Sequence, residues 1–189
     1  MVSSQADKAA SHTRIVNTAA ARFRRDGVNG VGVAELMKEA GLTHGGFYRH
    51  FASRDALVAE AVEHALEQGN KRFLTAAARG GQQAFTAIVD GYLSTAHRDT
   101  PEDGCAVAAL PQDVSRADDR TRGAYGRQVE NYLTILADLA SGDDPAAERR
   151  QACLVLSALV GAVAMARAVD DRELSAEILS ETAAALKEL

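Results

Sequence analysis

Tryptophan is absent from the 189 residues, proline occurs three times and cysteine twice. Each scarcity closes off a class. Proline is the severest helix breaker, so little interrupts helices here. Two cysteines, Cys105 and Cys153, make no disulfide framework and fit a reducing cytosol. Nine aromatics in all, five Phe and four Tyr, disfavour a wide aromatic-lined cavity. The histidines, His12, His44, His50, His64 and His97, fall in no HExxH or Cys-rich metal spacing. There is no Walker loop and no dinucleotide fingerprint, so no catalytic residue, metal or cofactor is expected. Residues 1–14 are polar and carry no sign of a secretory leader. The most apolar run, "ACLVLSALVGAVAMA" at 152–166, falls short of the roughly 20 residues that cross a bilayer. Arg149, Arg150 and Arg167 bound it. It reads as a buried helix of a cytoplasmic protein without a membrane partner, and Cys153 in it as packing.

What is present is helical. Apolar residues make up 47% of the chain, enough for a core and too many for disorder. Ile15, Ala19 and Phe23 repeat every four residues across 13–26, until "DGVNG" breaks the pattern. A short helix over 33–40 ends at Gly41. Thr43 is placed to cap a brief helix that ends near Phe51, and Ser53 a longer one over 54–74. Further helices are expected over 82–97, in a short piece at 105–110, and over 118–140. "SGDDP" then gives a break at Gly142, a cap at Asp144 and Pro145 in the first turn. The apolar helix runs to about 169, and a last one covers 172–186 behind a cap at Asp170–Asp171. Without any run of β-branched alternation, the fold class is all-α, with about nine helices.

The net charge of −5 argues against a wholly basic nucleic-acid binder. The total hides an asymmetry. Residues 1–60 hold eight Lys/Arg against six acids, net +2, and residues 61–189 hold thirteen against twenty, net −7. Since charges beyond about 8–10 Å are screened, a polyanion meets the N-terminal part locally.

Residues 33–51 form helix, glycine turn, helix, which is the layout that sets a second helix in a DNA major groove. "GLTHGGFYRHF" at 41–51 places Gly45 and Gly46 beside its polar and aromatic residues. Each glycine costs a helix roughly 1 kcal/mol relative to alanine. The cost has a reason if the backbone must come close to DNA. Thr43, Tyr48, Arg49 and His50 are suited to donate to phosphate oxygens, and His44 to reach a base edge. Phe47 and Phe51 are expected to anchor the segment on Ile15, Phe23 and Leu36. The competing reading is a glycine-rich loop between two helices, with its aromatics merely in the core.

The stretch "IVNTAAARFRRDGVNGVGVAELMKEAGLTHGGFYRHFASRDALVAEAV" resembles the DNA-binding domain of the TetR family of transcriptional repressors. The Ala-rich first helix, "ELMKEAGLT", "GGFYRHF" and "SRDAL" stand in that family's order. The resemblance implies a helix-turn-helix domain at 8–55 and a helical ligand-binding and dimerisation domain at 56–189. It implies a homodimer on a palindromic double-stranded DNA operator, released by a small-molecule inducer. By position it puts Thr43, His44, Gly45 and Gly46 at bases and nearby phosphates, and Tyr48, His50 and Arg54 on phosphates. The alternative from another class is a helical protein–protein adaptor or small-molecule carrier that does not bind DNA.

The likeness fades after about residue 65. Behind it, the run at 152–166 is too apolar for a helix with one wet face, and its Ala158, Gly161, Ala162 and Met165 suit close approach of a partner helix. Tyr92, His97, Tyr125, Gln128 and Tyr132 are the sensor candidates, as polar or aromatic residues on inward helix faces. Cys105 reads as a small buried side chain, with a reactive thiolate as the rival. Gly69–Asn70 interrupts the long fourth helix and is expected as a soft point.

Overall fold

The computed structural model describes residues 5–140 and 144–189, apart from the side chains of Asn70 and Arg72. Among these residues there are ten α-helices, two 3-10 segments and no strand. Helix α1 (Gln5–Asp26) starts eight residues before the apolar repeat at 13. "QADKAASH" has no apolar stripe to read, but it is rich in alanine, and a nucleated helix extends through such residues at little cost. Helix α2 (Val33–Glu39) and the 3-10 segment His44–Arg49 come next, then α3 (Arg54–Ala77).

The turn between α2 and the 3-10 segment is fixed by Gly41, whose φ of 72° lies in the left-handed region. Its N–H donates to the Lys38 carbonyl (3.0 Å), and the Leu42 N–H donates to that of Met37 (2.8 Å). This pair of bonds is the Schellman termination, and a side chain at Gly41 would strain it. The Thr43 side chain does not cap the 3-10 segment. Its backbone carbonyl accepts from the Gly46 N–H (3.0 Å), so the segment opens as a 3-10 turn in which the hydroxyl has no amide to serve. Ser53 does cap α3, accepting from Ala56 N–H at 3.1 Å.

The stretch expected as one helix over 82–97 is two, α4 (Gly81–Tyr92) and α5 (Thr95–Asp99). Ser94 adopts extended backbone and accepts from the His97 N–H (3.1 Å), which starts a new helix inside the apolar pattern. A 3-10 turn at Pro101–Asp103 leads to the one-turn helices α6 (Ala106–Ala109) and α7 (Pro111–Val114), and two of these three elements are opened by proline. Then come α8 (Asp119–Leu139), α9 (Pro145–Ala168) and α10 (Arg172–Lys187), capped by Asp118, Asp144 and Asp171. Gly142, expected to end α8, lies outside the described residues.

α3 is the spine. It packs on α1 along one side and on α8 along another, while α9 lies between α8 and α10. Ile15, Phe23, Leu36, Phe47, Phe51 and Leu57 are all buried in the core, and the 3-10 segment packs on α2. Burying each such side chain stabilises by about 1.5–3 kcal/mol. Arg24 of α1 is also buried, at 6% exposure. Its guanidinium donates to the carbonyls of Glu102 (2.7 Å) and Ala65 (3.4 Å) and to Gln68 Oε1 (3.0 Å).

α9 is longer than the apolar run and, at 24 residues, long and apolar enough to cross a membrane by length and composition alone. In the fold one of its faces is buried, through Val155, Leu159 and Val163 among others. The opposite face carries exposed Leu154 and Met165. Cys153, expected as packing, is exposed because its register puts it on that outer face. Cys105 is buried, as read from the sequence.

Gly41→Ala is expected to lower unfolding stability by about 1–2 kcal/mol, the cost of a Cβ at positive φ. Urea denaturation of the two proteins measures it, and an unchanged midpoint contradicts the assignment.

Candidate nucleic-acid interface and ligand cavity

The 3-10 segment divides its side chains cleanly. Phe47 is buried and stacked near Phe51, with ring centroids 5.6 Å apart. Thr43, His44, Gly45 and Arg49 are exposed, and Tyr48 is 76% exposed, unusual for so large an aromatic. Nothing lies within 4 Å of where a Cβ on Gly45 would stand, and the nearest atoms to one on Gly46 are 3.7 Å away. Neither glycine has a positive φ. Nothing among the described residues therefore demands glycine at either position.

His50 and Arg54 are half-buried and partly engaged. Arg54 Nη2 donates to the Val28 carbonyl at 2.5 Å, which ties the start of α3 to the turn after α1. His50 Nδ1 is buried and has no hydrogen-bond partner among the described residues. Its ring lies 6.0 Å from that of His12, which stacks on Phe51 (4.6 Å) and bonds Glu60 (2.6 Å). Burial, then the neighbouring charges of His12, Lys8 and Arg49, hold the His50 pKa below the ordinary range.

Sequence reasoning missed Arg22. Its guanidinium reaches Asp26 (2.6 Å), Glu35 (2.6 Å) and Glu39 (2.5 Å), clamping α2 against α1. The i, i+4 pairing with Asp26 was legible. The other two contacts need the turn at 27–32 to be folded.

A cavity of about 250 Å³ opens among α3, α4, α5 and α8. Tyr92, His97 and Tyr132 line it with Phe73, Ile88 and Cys105. Tyr125 and Gln128, read as sensors, are not in its wall. Tyr125 spends its hydroxyl on the Val107 carbonyl (2.8 Å), and Gln128 is buried one turn before Tyr132 on α8. Burial, then Cys105, pushes the Tyr125 pKa up to about 12, and the same causes hold Tyr92 and Tyr132 well above the usual range. All three therefore remain neutral hydroxyls at physiological pH.

His97 Nδ1 lies 2.6 Å from the Tyr92 carbonyl, and Nε2 accepts from the Cys105 N–H at 3.0 Å. The ring is thus the Nδ1–H tautomer. Gly104 is required beside it, since a Cβ there would fall 2.9 Å from Arg167 and 3.0 Å from His97. Gly69 is also a close-approach residue, with Tyr132 Oη 3.2 Å from its Cβ position. α3 passes through Gly69 as continuous helix. The Asn70 side chain lies outside the described residues.

On α9, Ala158 and Gly161 are half-buried and Met165 is 54% exposed. Ala162, read as an interface residue, is 1% exposed. It falls on the inner stripe with Leu159 and Ala166, inside the chain's own core, and is not available to a partner.

Residues 15–61 match the family model described as bacterial regulatory proteins, tetR family. No curated protein sequence matches the chain. Solved structures do. A TetR transcriptional regulator from Chloroflexus aurantiacus is 22% identical, with TM-score 0.81, over 97% of this chain and 96% of that one. Escherichia coli NemR in its reduced form is 20% identical, with TM-score 0.75, over 95% and 96%. SCO4454 from Streptomyces coelicolor, a TetR-family regulator, is 20% identical, with TM-score 0.74, over 95% of each chain.

A group whose pKa is lower in the fold than in the unfolded chain stays neutral when folded, so its contribution falls away as pH drops below the unfolded value, about 6.5 for histidine. The NMR titration of His50 should therefore have its midpoint below that value, and His50→Gln should flatten the acid side of the stability profile. A midpoint at or above about 6.5 contradicts the packing of Nδ1 described here.

Proposed function

We propose that this chain, a TetR-family transcriptional regulator by its N-terminal domain and its fold, is a repressor that binds a palindromic operator as a homodimer. On this reading a small molecule in the C-terminal cavity releases it. The carrying observation is the pair Gly45–Gly46. Gly45 faces open space and Gly46 only ordinary contacts at 3.7 Å, beside exposed His44 and Tyr48, so nothing among the described residues demands either glycine. A backbone that must come against DNA supplies the reason. Thr43, His44, Gly45 and Gly46 then face bases and adjoining phosphates, and Tyr48, Arg49, His50 and Arg54 the phosphates. Phosphate contacts set register and base contacts set sequence. Residues 8–55 read DNA and 56–189 sense and dimerise, with α3 running across the division. Such a protein acts in the cytoplasm, where the operator is.

Dimerisation is assigned to the outer face of α9 and to α10. Met165, Ala158 and Gly161 share that face with Leu154, and apolar side chains exposed together are what a partner helix covers. Tyr92, His97 and Tyr132 are the cavity residues that support the ligand site, and Gly69 of α3 touches the same wall. A ligand that moves Tyr132 thus presses on the helix that carries the DNA-binding residues.

Gly45→Leu should leave thermal stability within about 1 kcal/mol, since the space is open and helix propensity favours the change. It should abolish footprints on the protein's own promoter region, and wild-type footprinting by the variant sinks this reading. Separately, Met165→Glu should shift the sedimenting species from dimer to monomer and reduce operator affinity with it. A dimer unchanged by this substitution moves the interface off α9.

A further inference from the structure

The C-terminal end of α1 meets α5, the end of α9 and the start of α10 around a groove of about 690 Å³, which shares no lining residue with the cavity at Tyr92. Arg24, Arg25, Arg98, Arg167 and Arg172 stand in its walls, against two carboxylates, Asp99 and Asp170. The chain as a whole carries −5, so the groove reverses the sign locally.

Several arginines outside the groove are paired with carboxylates. Arg22 has three carboxylates, Arg120 has Glu63 and Arg149 has Glu130. In the groove Arg25 pairs with Asp26 and Arg98 with Asp99. Arg167 and Arg172 have no ion pair among the described residues, although Glu102 acts on Arg167, and Arg172 on Asp99, from beyond pairing distance. Arg167 is half-buried. Its Nε and Nη2 donate to the carbonyls of Arg98 (3.1 Å) and His97 (2.5 Å), which orient the guanidinium but do not neutralise it. Burial accordingly pulls its pKa down. Arg98 is held as firmly, with Nη1 donating to Ser175 Oγ (3.0 Å), itself buried and bonded to the Ala166 carbonyl (2.6 Å).

Arg167, oriented and without an ion pair, and Arg172, exposed and without one, leave positive charge in a groove where Asp99 is already taken by Arg98. A planar carboxylate satisfies one fork, whereas a tetrahedral phosphate presents oxygens to several at once. The volume falls within the roughly 300–1,000 Å³ of small-molecule sites. We propose that this groove binds a small phosphate-bearing molecule through Arg98, Arg167 and Arg172, joining α5 to the last two helices. This site is additional to the ligand cavity and does not depend on it.

The probe is sodium pyrophosphate, titrated calorimetrically into the full chain without DNA, at an ionic strength held constant with sodium chloride. The wild type should bind it saturably, one per chain. Arg172→Gln, an exposed position that leaves the core untouched, should weaken binding about tenfold, the loss of one charge-assisted contact. Arg98→Gln should do the same in protein whose melting curve shows it folded, and Arg120→Gln, at the unrelated pair with Glu63, should have no effect. Absence of saturable binding overturns the proposal. So does equal binding by Arg172→Gln and wild type, or an equal loss in Arg120→Gln, which would mean bulk charge alone. Binding of random-sequence duplex DNA separates the other phosphate source. Arg172→Gln should hold it within about twofold, and a loss as large as that for pyrophosphate would assign the arginine to the DNA backbone and end the proposal.

Discussion

The guanidinium of Arg24 ties α1, α3 and the turn at Pro101–Asp103 to one another by hydrogen bonds, on top of the packing between them. It leaves α1 on the inside, satisfies the Ala65 carbonyl and the Gln68 side chain on α3, and reaches the Glu102 carbonyl in the turn before Cys105. A buried charge is tolerable only when its donors are engaged, so the three partners must stay in place for the fold to keep it. The DNA-binding part is therefore not a bead on a string. Its first helix is bonded to the spine and to the loop whose next residues, Gly104 and Cys105, form a wall of the cavity.

That arrangement gives the proposed regulation a physical route. The cavity touches α3 at Gly69 and Phe73, and the segment between His97 and Cys105 at the other side. Both lead to the N-terminal helices, one by continuous helix and the other through Glu102 and Arg24. A Cβ at Gly69 would stand 3.2 Å from the Tyr132 hydroxyl, and one at Gly104 3.0 Å from the His97 ring. α3 is continuous through "EQGNK", and close packing against Tyr132 is a sufficient cause for that glycine.

Much of the molecule is legible in local chemistry. Helices declare themselves through four-residue apolar spacing, and Ser53, Asp144 and Asp171 through caps, because both signals act within one or two turns. Residues 41–51 are readable as a turn and a contact segment for the same reason. Gly41 needs positive φ, while Phe47 and Phe51 need a core. The errors have a common origin. Thr43 has the composition of a cap, but the 3-10 geometry leaves its hydroxyl without a role. Residues 82–97 have an unbroken apolar pattern, but Ser94 restarts the helix.

Sequence alone determined the all-α class, the positions of the long helices and the helix-turn-helix segment, since these come from propensity, periodicity and turn chemistry over a few residues. Which side chains share a site was decided by tertiary structure. Tyr92, His97 and Tyr132 meet around one cavity while Tyr125 and Gln128 do not, Ala162 turns inward while Met165 turns out, and five arginines from four helices converge on one groove. The reason is angular. Each residue along a helix turns the side chain by about 100°, so an inward face is legible from periodicity, but what it faces depends on where the neighbouring helices cross, and no local interaction encodes that.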